Sequence, residues 1–400
     1  MAASTSRRTV PAPMTAAASS LALAVADANW YTTANLFDAL DHPGVDTLSL
    51  RCLDYYNAWT QGRAPWTWGR PLARVGDHHW RRELVLPSGW MKSFPRLGMR
   101  PIRREIDAWR SAHAPGSPLA LVMTYPHYLY LRDALRPDKS VYFNIDDYAQ
   151  YWPRRAAQVD ALERRAVRES DLTVCVSRLR AEALRAAVPS AADRVHHLPH
   201  GTPASALSAG PRATPGPAPA DLAALPRPIL GYVGGLEDRV DWPLVEALAV
   251  AFPQASIAMI GRPSAGPLGL WQAERARARA RPNVHFLGWK PQAQLDDYNR
   301  AFDLCLIPYA AEHPFNVACC PTKIMDSMAT GRPIVSTDLP ECRLYEHLFD
   351  VAAGREAFVA AVGSILDRGS DDGRSAERHA WAVDNSCRRV ADRLLSWVMG

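Results

Sequence analysis

PYAAEHPFNVACCPTKIMDSMATGRPIVST, residues 308–337, is the stretch on which the fold turns. Strand-like apolar text ends at Pro308, and an irregular run follows to Cys320. Pro321 then opens a helix, Gly331 closes it, and Ile334–Ser336 begins another strand. Proline suits a first helical turn and glycine the position just past a last one. Ile324, Met325, Met328 and Ala329 share one helical face, which leaves Thr322, Lys323 and Asp326 on the other, near the amino end. A helix amino end attracts anions through its free N–H groups and dipole. Lys323 adds a full positive charge, and a carboxylate at Asp326 suits the hydroxyls of a ribose. The pattern fits a nucleoside diphosphate with its phosphates at the helix start and its ribose on Asp326. An ordinary i, i+3 surface ion pair, worth a few tenths of a kcal/mol, is the competing reading.

The run before this helix, Ala310–Cys320, shows neither strand nor helix periodicity and sits at a carboxyl strand end, where long loops often carry function. It contains Glu312, His313, Phe315 and Asn316; a buried turn is the alternative. A second stretch, GYVGGLEDRVD at 231–241, runs from a strand through glycines into a helix capped by Asp241. Small residues at Gly234 and Gly235 let a backbone approach phosphate, and Arg239 is placed to clamp it. A tight turn is equally consistent with those glycines.

Outward from these stretches, strand and helix patterns alternate through both halves of the chain, the signature of parallel sheets covered on both faces. Residues 203–227 are dense in Pro and Ala, a linker composition. The expected division is a tail at 1–19, an amino-terminal domain at 20–202, the linker at 203–227, a second domain at 228–375 and a closing helix at 376–400. Within the first domain, 54–97 reads as irregular and the next helix as Pro101–His113. Two doubly wound domains place a ligand at carboxyl strand ends, in the cleft between them.

The 400 residues suit two cores, and 48 % hydrophobic with 22 % charged residues is a globular composition. A net charge of +5 does not call for nucleic acid. No apolar run reaches the roughly 18 residues a membrane helix needs. Seven cysteines without a CxxC pair point to reduced, buried thiols in a cytoplasmic protein. Residues 1–19 read as a disordered tail, with a signal peptide as the rival. No histidine spacing indicates a metal site.

Two further features bear on an acceptor. Asp146-Asp147 follows a strand at Val141–Ile145, and one of them is placed to orient a substrate hydroxyl or take part in proton transfer. Capping of the next segment is the rival role. The segment from Trp59 to Arg110 holds Trp59, Trp66, Trp68, Trp80, Trp90 and Trp109, and eleven Lys/Arg against four acids lie between Arg63 and Arg110. Interfacial Trp with basic residues suits contact with an anionic membrane. Sugar-stacking aromatics with ordinary surface charge explain the same composition.

The carboxyl half as a whole resembles retaining glycosyltransferases of the GT-B architecture, closest to the family 4 group with bacterial envelope-polysaccharide members, teichuronic-acid-type transferases among them. GYVGGLEDRVDW, IGRP, PNVHFLGW, DLCLIPY and FNVACCPTKIMDSMATGRPIVST carry the resemblance over about Pro228–Asn385, the P-x-K-x-x-[DE] helix most specifically. NWYTTANLFDAL at 29–40, VYFNIDDY at 141–148 and HLPHGT at 197–202 match the amino domain more loosely. The resemblance implies an α/β fold of two facing Rossmann-like domains and a nucleotide-sugar substrate. It also implies retention of anomeric configuration, no metal and no separate cofactor.

It puts Asp326 at the family's second acidic position, on the donor ribose. The first acidic position falls on Ala318, so Asn316 or Glu312 is left to stand in. The expected donor set is therefore Gly234, Gly235, Arg239, Asn316, Thr322, Lys323 and Asp326. Asp147 and Glu312 are expected at the reacting end, and Trp30 and Asp146 on the acceptor side. Expected partners are a nucleoside-diphosphate sugar and a glycan or lipid-linked glycan, at the cytoplasmic face of a membrane. A sugar-nucleotide epimerase or phosphorylase of the same architecture, and a silent nucleotide-sugar-binding scaffold, are the rival functions.

Overall fold

The structure, a computed structural model, describes residues 21–29, 31–60, 69–91, 93–212, 217–263 and 271–400. Trp30, Trp66 and Trp68 lie outside them. Eight strands form the first sheet: β1 (Leu21–Ala26), β2 (Val45–Asp54), β3 (Ala73–Arg74), β4 (His79–Leu86), β5 (Leu119–Met123), β6 (Lys139–Asn144), β7 (Leu172–Cys175) and β8 (Val195–His197). Their spatial order is β3-β4-β2-β1-β5-β6-β7-β8, parallel except for the β3–β4 pair.

Six more strands form the second: β9 (Ile229–Val233), β10 (Ser256–Ile260), β11 (Val284–Gly288), β12 (Leu304–Ile307), β13 (Ile334–Thr337) and β14 (Asp350–Ala352). They lie in the order β11-β10-β9-β12-β13-β14, all parallel. Strands such as LALAVA in β1 are buried along their whole length, as a sheet covered on both faces requires. This is the two-sheet α/β architecture the alternating sequence implies.

The chain crosses between the domains twice, side by side. Thr202 N–H donates to Asn385 O at 2.8 Å, and Cys387 N–H donates to Thr202 O at 2.8 Å. A side chain at Gly201 would meet the Cys387 backbone at 2.6 Å, so the crossing strands touch only because residue 201 has none. Helix Ser375–Asp384 stays with the second domain, against helix Lys323–Thr330. Helix Cys387–Met399 instead packs on Tyr31–Asp38 of the first, burying Val390, Leu394, Leu395 and Val398.

The segment expected to be irregular, 54–97, instead supplies β3, β4 and the start of the next helix, which begins at Pro95. Charge hides β4 in the sequence. Arg81 pairs with Asp38, Arg82 makes a two-pronged pair with Glu105 at 3.0 and 3.1 Å, and Glu83 is buried. The tryptophans there are largely structural. Trp90 and Trp109 are buried and Trp80 packs edge-on to Trp109, whereas Trp59 is 64 % exposed. All seven cysteines are free and buried. Among the described residues no helix is long and apolar enough to cross a membrane.

Candidate active site

A 560 Å³ cavity opens where the two sheets' carboxyl ends meet. Its second-domain wall is formed by the run from Tyr309 to Lys323 and by the glycine loop after β9. The loop after β12 holds one helical turn, Pro314–Ala318, which the sequence pattern did not reveal; the His313 ring accepts the Phe315 N–H and caps it. Asn316 is fully buried at the centre of this turn. Its Nδ2 donates to Arg239 O and Ala310 O, both at 2.9 Å, and its Oδ1 accepts from Arg239 Nε at 2.8 Å. A side chain so engaged has little left for a ligand. Asn316 is a staple that fixes Arg239, which corrects its expected donor contact.

Arg239 lies between two rings, its guanidinium carbon 5.2 Å from the Tyr309 centroid and 5.1 Å from that of Phe315. Its Nη2 also donates to Cys319 Sγ at 3.3 Å, and burial pushes that thiol up to about 11, so it stays neutral. Beside it, Lys323 donates to the Tyr309 hydroxyl and sits 4.7 and 5.1 Å from the Tyr309 and Tyr232 centroids. Two cations held by aromatic faces thus line the cavity at the start of helix Lys323–Thr330, with Thr322 next to them. Gly331 ends that helix at φ 66°, the left-handed conformation expected of a glycine stop.

The glycine loop works by close approach. A Cβ on Gly234 would lie 2.6 Å from Lys323 Cε and Nζ, so only glycine leaves room for the lysine. A Cβ on Gly261 would fall 1.7 Å from Gly234 O, which fixes the loop from behind. Gly235, Glu237 and Asp238 line the cavity with Arg239.

The first domain contributes Asp146, Tyr151 and His200. Asp146 accepts the Tyr151 hydroxyl at 2.7 Å, and burial raises its carboxyl despite the opposing charge of Arg239. Tyr151 also stands edge-on to Phe315, 4.9 Å between centroids, joining the two walls. His200, in the crossing strand, is buried and held neutral, its pKa lowered to about 4 by desolvation. The paired crossing strands that deliver it to the cavity are not readable from its sequence neighbours.

A second junction is sealed by Glu341, only 1 % exposed. It accepts the Arg178 N–H at the start of helix Arg178–Ala187 at 2.9 Å, and lies 3.2 Å from His197 Nε2.

Two other expectations are corrected by placement. Asp147 does not line the cavity: it accepts Gln150 Nε2 at 2.8 Å and faces Arg180 at 3.7 Å, so Asp146 is the member of the pair that reaches the cleft. Glu312 is exposed and lines a different hollow, with Arg355 and Glu356, on the far side of its loop. Asp326, half-buried, lies one turn along the helix from Lys323, next to the residues that line the cavity. Burial raises its pKa to about 7, with Asp296 adding and Lys323 opposing, and no hydrogen bond meets its carboxylate among the described residues. Ala318 is buried, so no acid occupies that position.

Residues 227–368 match the family described as Glycosyl transferases group 1. A protein of Bacillus subtilis (strain 168), provisionally named teichuronic acid biosynthesis glycosyltransferase TuaH, is 23 % identical over 279 residues, 67 % of this chain and 68 % of that one. Among solved structures, sucrose-phosphate synthase from Thermosynechococcus elongatus superposes with a TM-score of 0.68 at 16 % identity, covering 94 % of this chain and 97 % of its own. Anabaena HepE in complex with UDP and glucose gives 0.63 at 14 % identity, covering 95 % and 99 %. At such identities the structural likeness establishes the fold, two facing domains around one cleft.

Proposed function

We propose, for a chain that is a glycosyltransferase of GT-B fold with a group 1 domain at 227–368, that it moves a sugar from a nucleoside diphosphate to an envelope glycan acceptor with retention of configuration. The observation that carries this is the pair Arg239 and Lys323, braced by Tyr309, Phe315 and Tyr232 at a helix start within the interdomain cavity. Two fixed cations and free N–H groups suit a diphosphate. HepE, of the same fold, is described in complex with UDP and glucose, and TuaH by a teichuronic acid role; both agree with this reading.

In this scheme Thr322, Lys323 and Arg239 hold the diphosphate, Gly234 and Gly235 let it approach, and Asp326 takes the ribose hydroxyls. Asp146 orients the acceptor hydroxyl from the other wall. The bond from the sugar's anomeric carbon to phosphate breaks, and the acceptor oxygen bonds to that carbon from the same face. The acceptor proton passes to the departing phosphate oxygen, so no side-chain nucleophile and no metal is needed. Closing the cleft keeps water from the donor. The acceptor reaches the enzyme at the cytoplasmic face of the membrane.

Isothermal titration with UDP, GDP and the other nucleoside diphosphates tests the core of this. One of them binds the wild type, and Arg239→Ala weakens it by about ten- to a hundred-fold, the worth of a charge-assisted contact. Binding by none of them removes the reading.

A further inference from the structure

The first domain holds another cavity, of 430 Å³, that the donor scheme leaves unused. Three successive strand-to-helix connections build it. Met91 and Pro95 follow β4, His127 and Tyr130 follow β5, and Trp152 and Arg155 follow β6. All leave the carboxyl edge of the sheet, the edge at which doubly wound domains bind ligands. Trp152 and His127 stand edge to face, 5.0 Å between centroids. The lining carries Arg155 and Arg165 and no carboxylate, Arg165 being paired from outside the lining with Asp133 and Glu169, and Val159 and Leu162 add apolar surface.

This cavity has a neighbour on each side. Pro95 and Tyr130 also line a shallower 330 Å³ hollow with Phe94, Arg96 and Leu97. Phe94 is 66 % and Leu97 53 % exposed, an apolar pair at the head of a helix whose Arg100, Arg103 and Arg104 also face solvent. At the other end, Trp152 adjoins Tyr151, 6.4 Å between centroids, and Tyr151 lines the donor cavity on Asp146. An apolar entrance, a cationic aromatic middle and the donor cleft thus follow one another along the domain.

We propose that this track binds the acceptor's carrier, an aliphatic chain ending in a phosphate or diphosphate. The chain lies at Phe94 and Leu97, the phosphate at Arg155 beside Trp152, and the attached glycan reaches Asp146. A neutral glycan fits less well. Sugar hydroxyls seek carboxylates and amides, and Gln158 is the one such side chain in the lining, whereas an anionic head meets a wall without acids. The proposal rests on the glycosyltransferase reading but occupies a separate site.

The test is calorimetric titration of the full chain with dodecyl phosphate below its micelle threshold, beside inorganic phosphate and neutral dodecyl maltoside. Dodecyl phosphate binds at least about ten-fold tighter than either, because only it has both parts. Trp152→Ala and Arg155→Ala each weaken it by about ten-fold. The surface double variant Phe94→Ser with Leu97→Ser weakens it to the level of inorganic phosphate. The nucleoside diphosphate that binds the wild type binds every variant unchanged, which also shows that each is folded. Dodecyl phosphate binding no tighter than phosphate, or binding indifferent to Trp152 and Arg155, overturns the track while leaving the donor site standing. Failure of all nucleotides with dodecyl phosphate still bound overturns the donor reading and leaves the track. Phosphatidylcholine vesicles with phosphatidylglycerol make a further arm. Binding to them without binding of monomeric dodecyl phosphate makes the patch a membrane contact and overturns the carrier assignment.

Discussion

The ribose role proposed for Asp326 makes donor affinity depend on pH in a calculable way. Burial raises this carboxyl to about 7, with the charge of Asp296 adding and that of Lys323 opposing. Hydroxyls of a ribose donate best to the ionised form. With a pKa near 7, about one molecule in eleven carries the carboxylate at pH 6 and about ten in eleven at pH 8, so nucleotide affinity rises about ten-fold across that interval. The nucleotide's terminal phosphate also titrates near pH 6. That contribution is shared by wild type and Asp326→Asn, so the ratio of their affinities isolates the side chain. The stability term has the opposite sign. A folded-state pKa above the unfolded value stabilises at acid pH, and that stabilisation is lost as pH rises through about 7, so Asp326→Asn unfolds at a higher temperature than wild type at pH 8. Titration calorimetry at pH 6, 7 and 8 reads the first effect. A wild type to Asp326→Asn affinity ratio constant across the three refutes the ribose contact.

Asp27, 1 % exposed at the end of β1, is raised to about 7 by burial, with hydrogen bonds from Tyr128 and Asn29 opposing. Its stabilisation is complete below about pH 4 and lost by about pH 7, so the stability gap between wild type and Asp27→Asn moves in the variant's favour by up to about 4 kcal/mol from pH 4 to pH 8 in urea titrations. Glu341→Ala strands the Arg178 N–H and His197 in a buried junction and lowers stability by about 1–3 kcal/mol, with Glu341→Gln intermediate, as thermal midpoints measure. Equal midpoints for Glu341→Ala and wild type show the junction to be open in solution.

What the sequence revealed, it revealed through periodicity and punctuation. The helix opened near Pro321 and stopped by Gly331 lies where the apolar spacing of Ile324, Met325 and Met328 puts it, and the parallel sheets follow from fully buried strands such as β1. It failed where tertiary pairing overrides local appearance. β4 reads as a charged loop because Arg81, Arg82 and Glu83 look solvated until Asp38 and Glu105 arrive from helices elsewhere in the chain. The turn at Pro314–Ala318 is one turn long, too short for a helical period to register. His200 reaches the cavity only because two crossing strands, 202 and 385–387, are bonded to each other, and no local pattern encodes that pairing.

The gap at Ala318 is the point at which residue types, taken position by position, mislead most. Proximity in sequence points to Glu312, an acid, and Asn316, an amide, as substitutes. The structure removes both: one faces another hollow, and the other is consumed in holding Arg239. The acids that do line the cavity come from elsewhere, Glu237 and Asp238 from the glycine loop and Asp146 from the opposite domain. The loss of one carboxylate from the wall after β12 therefore leaves the cavity with acid on two other sides. Arg239 lines the same cavity, its Nε held by Asn316 and its Nη2 by Cys319. With alanine there, the cavity's cations stand at Arg239 and Lys323 and its acids in the glycine loop and the facing domain, so in the proposed scheme the contacts that orient a sugar depend on closure of the two domains.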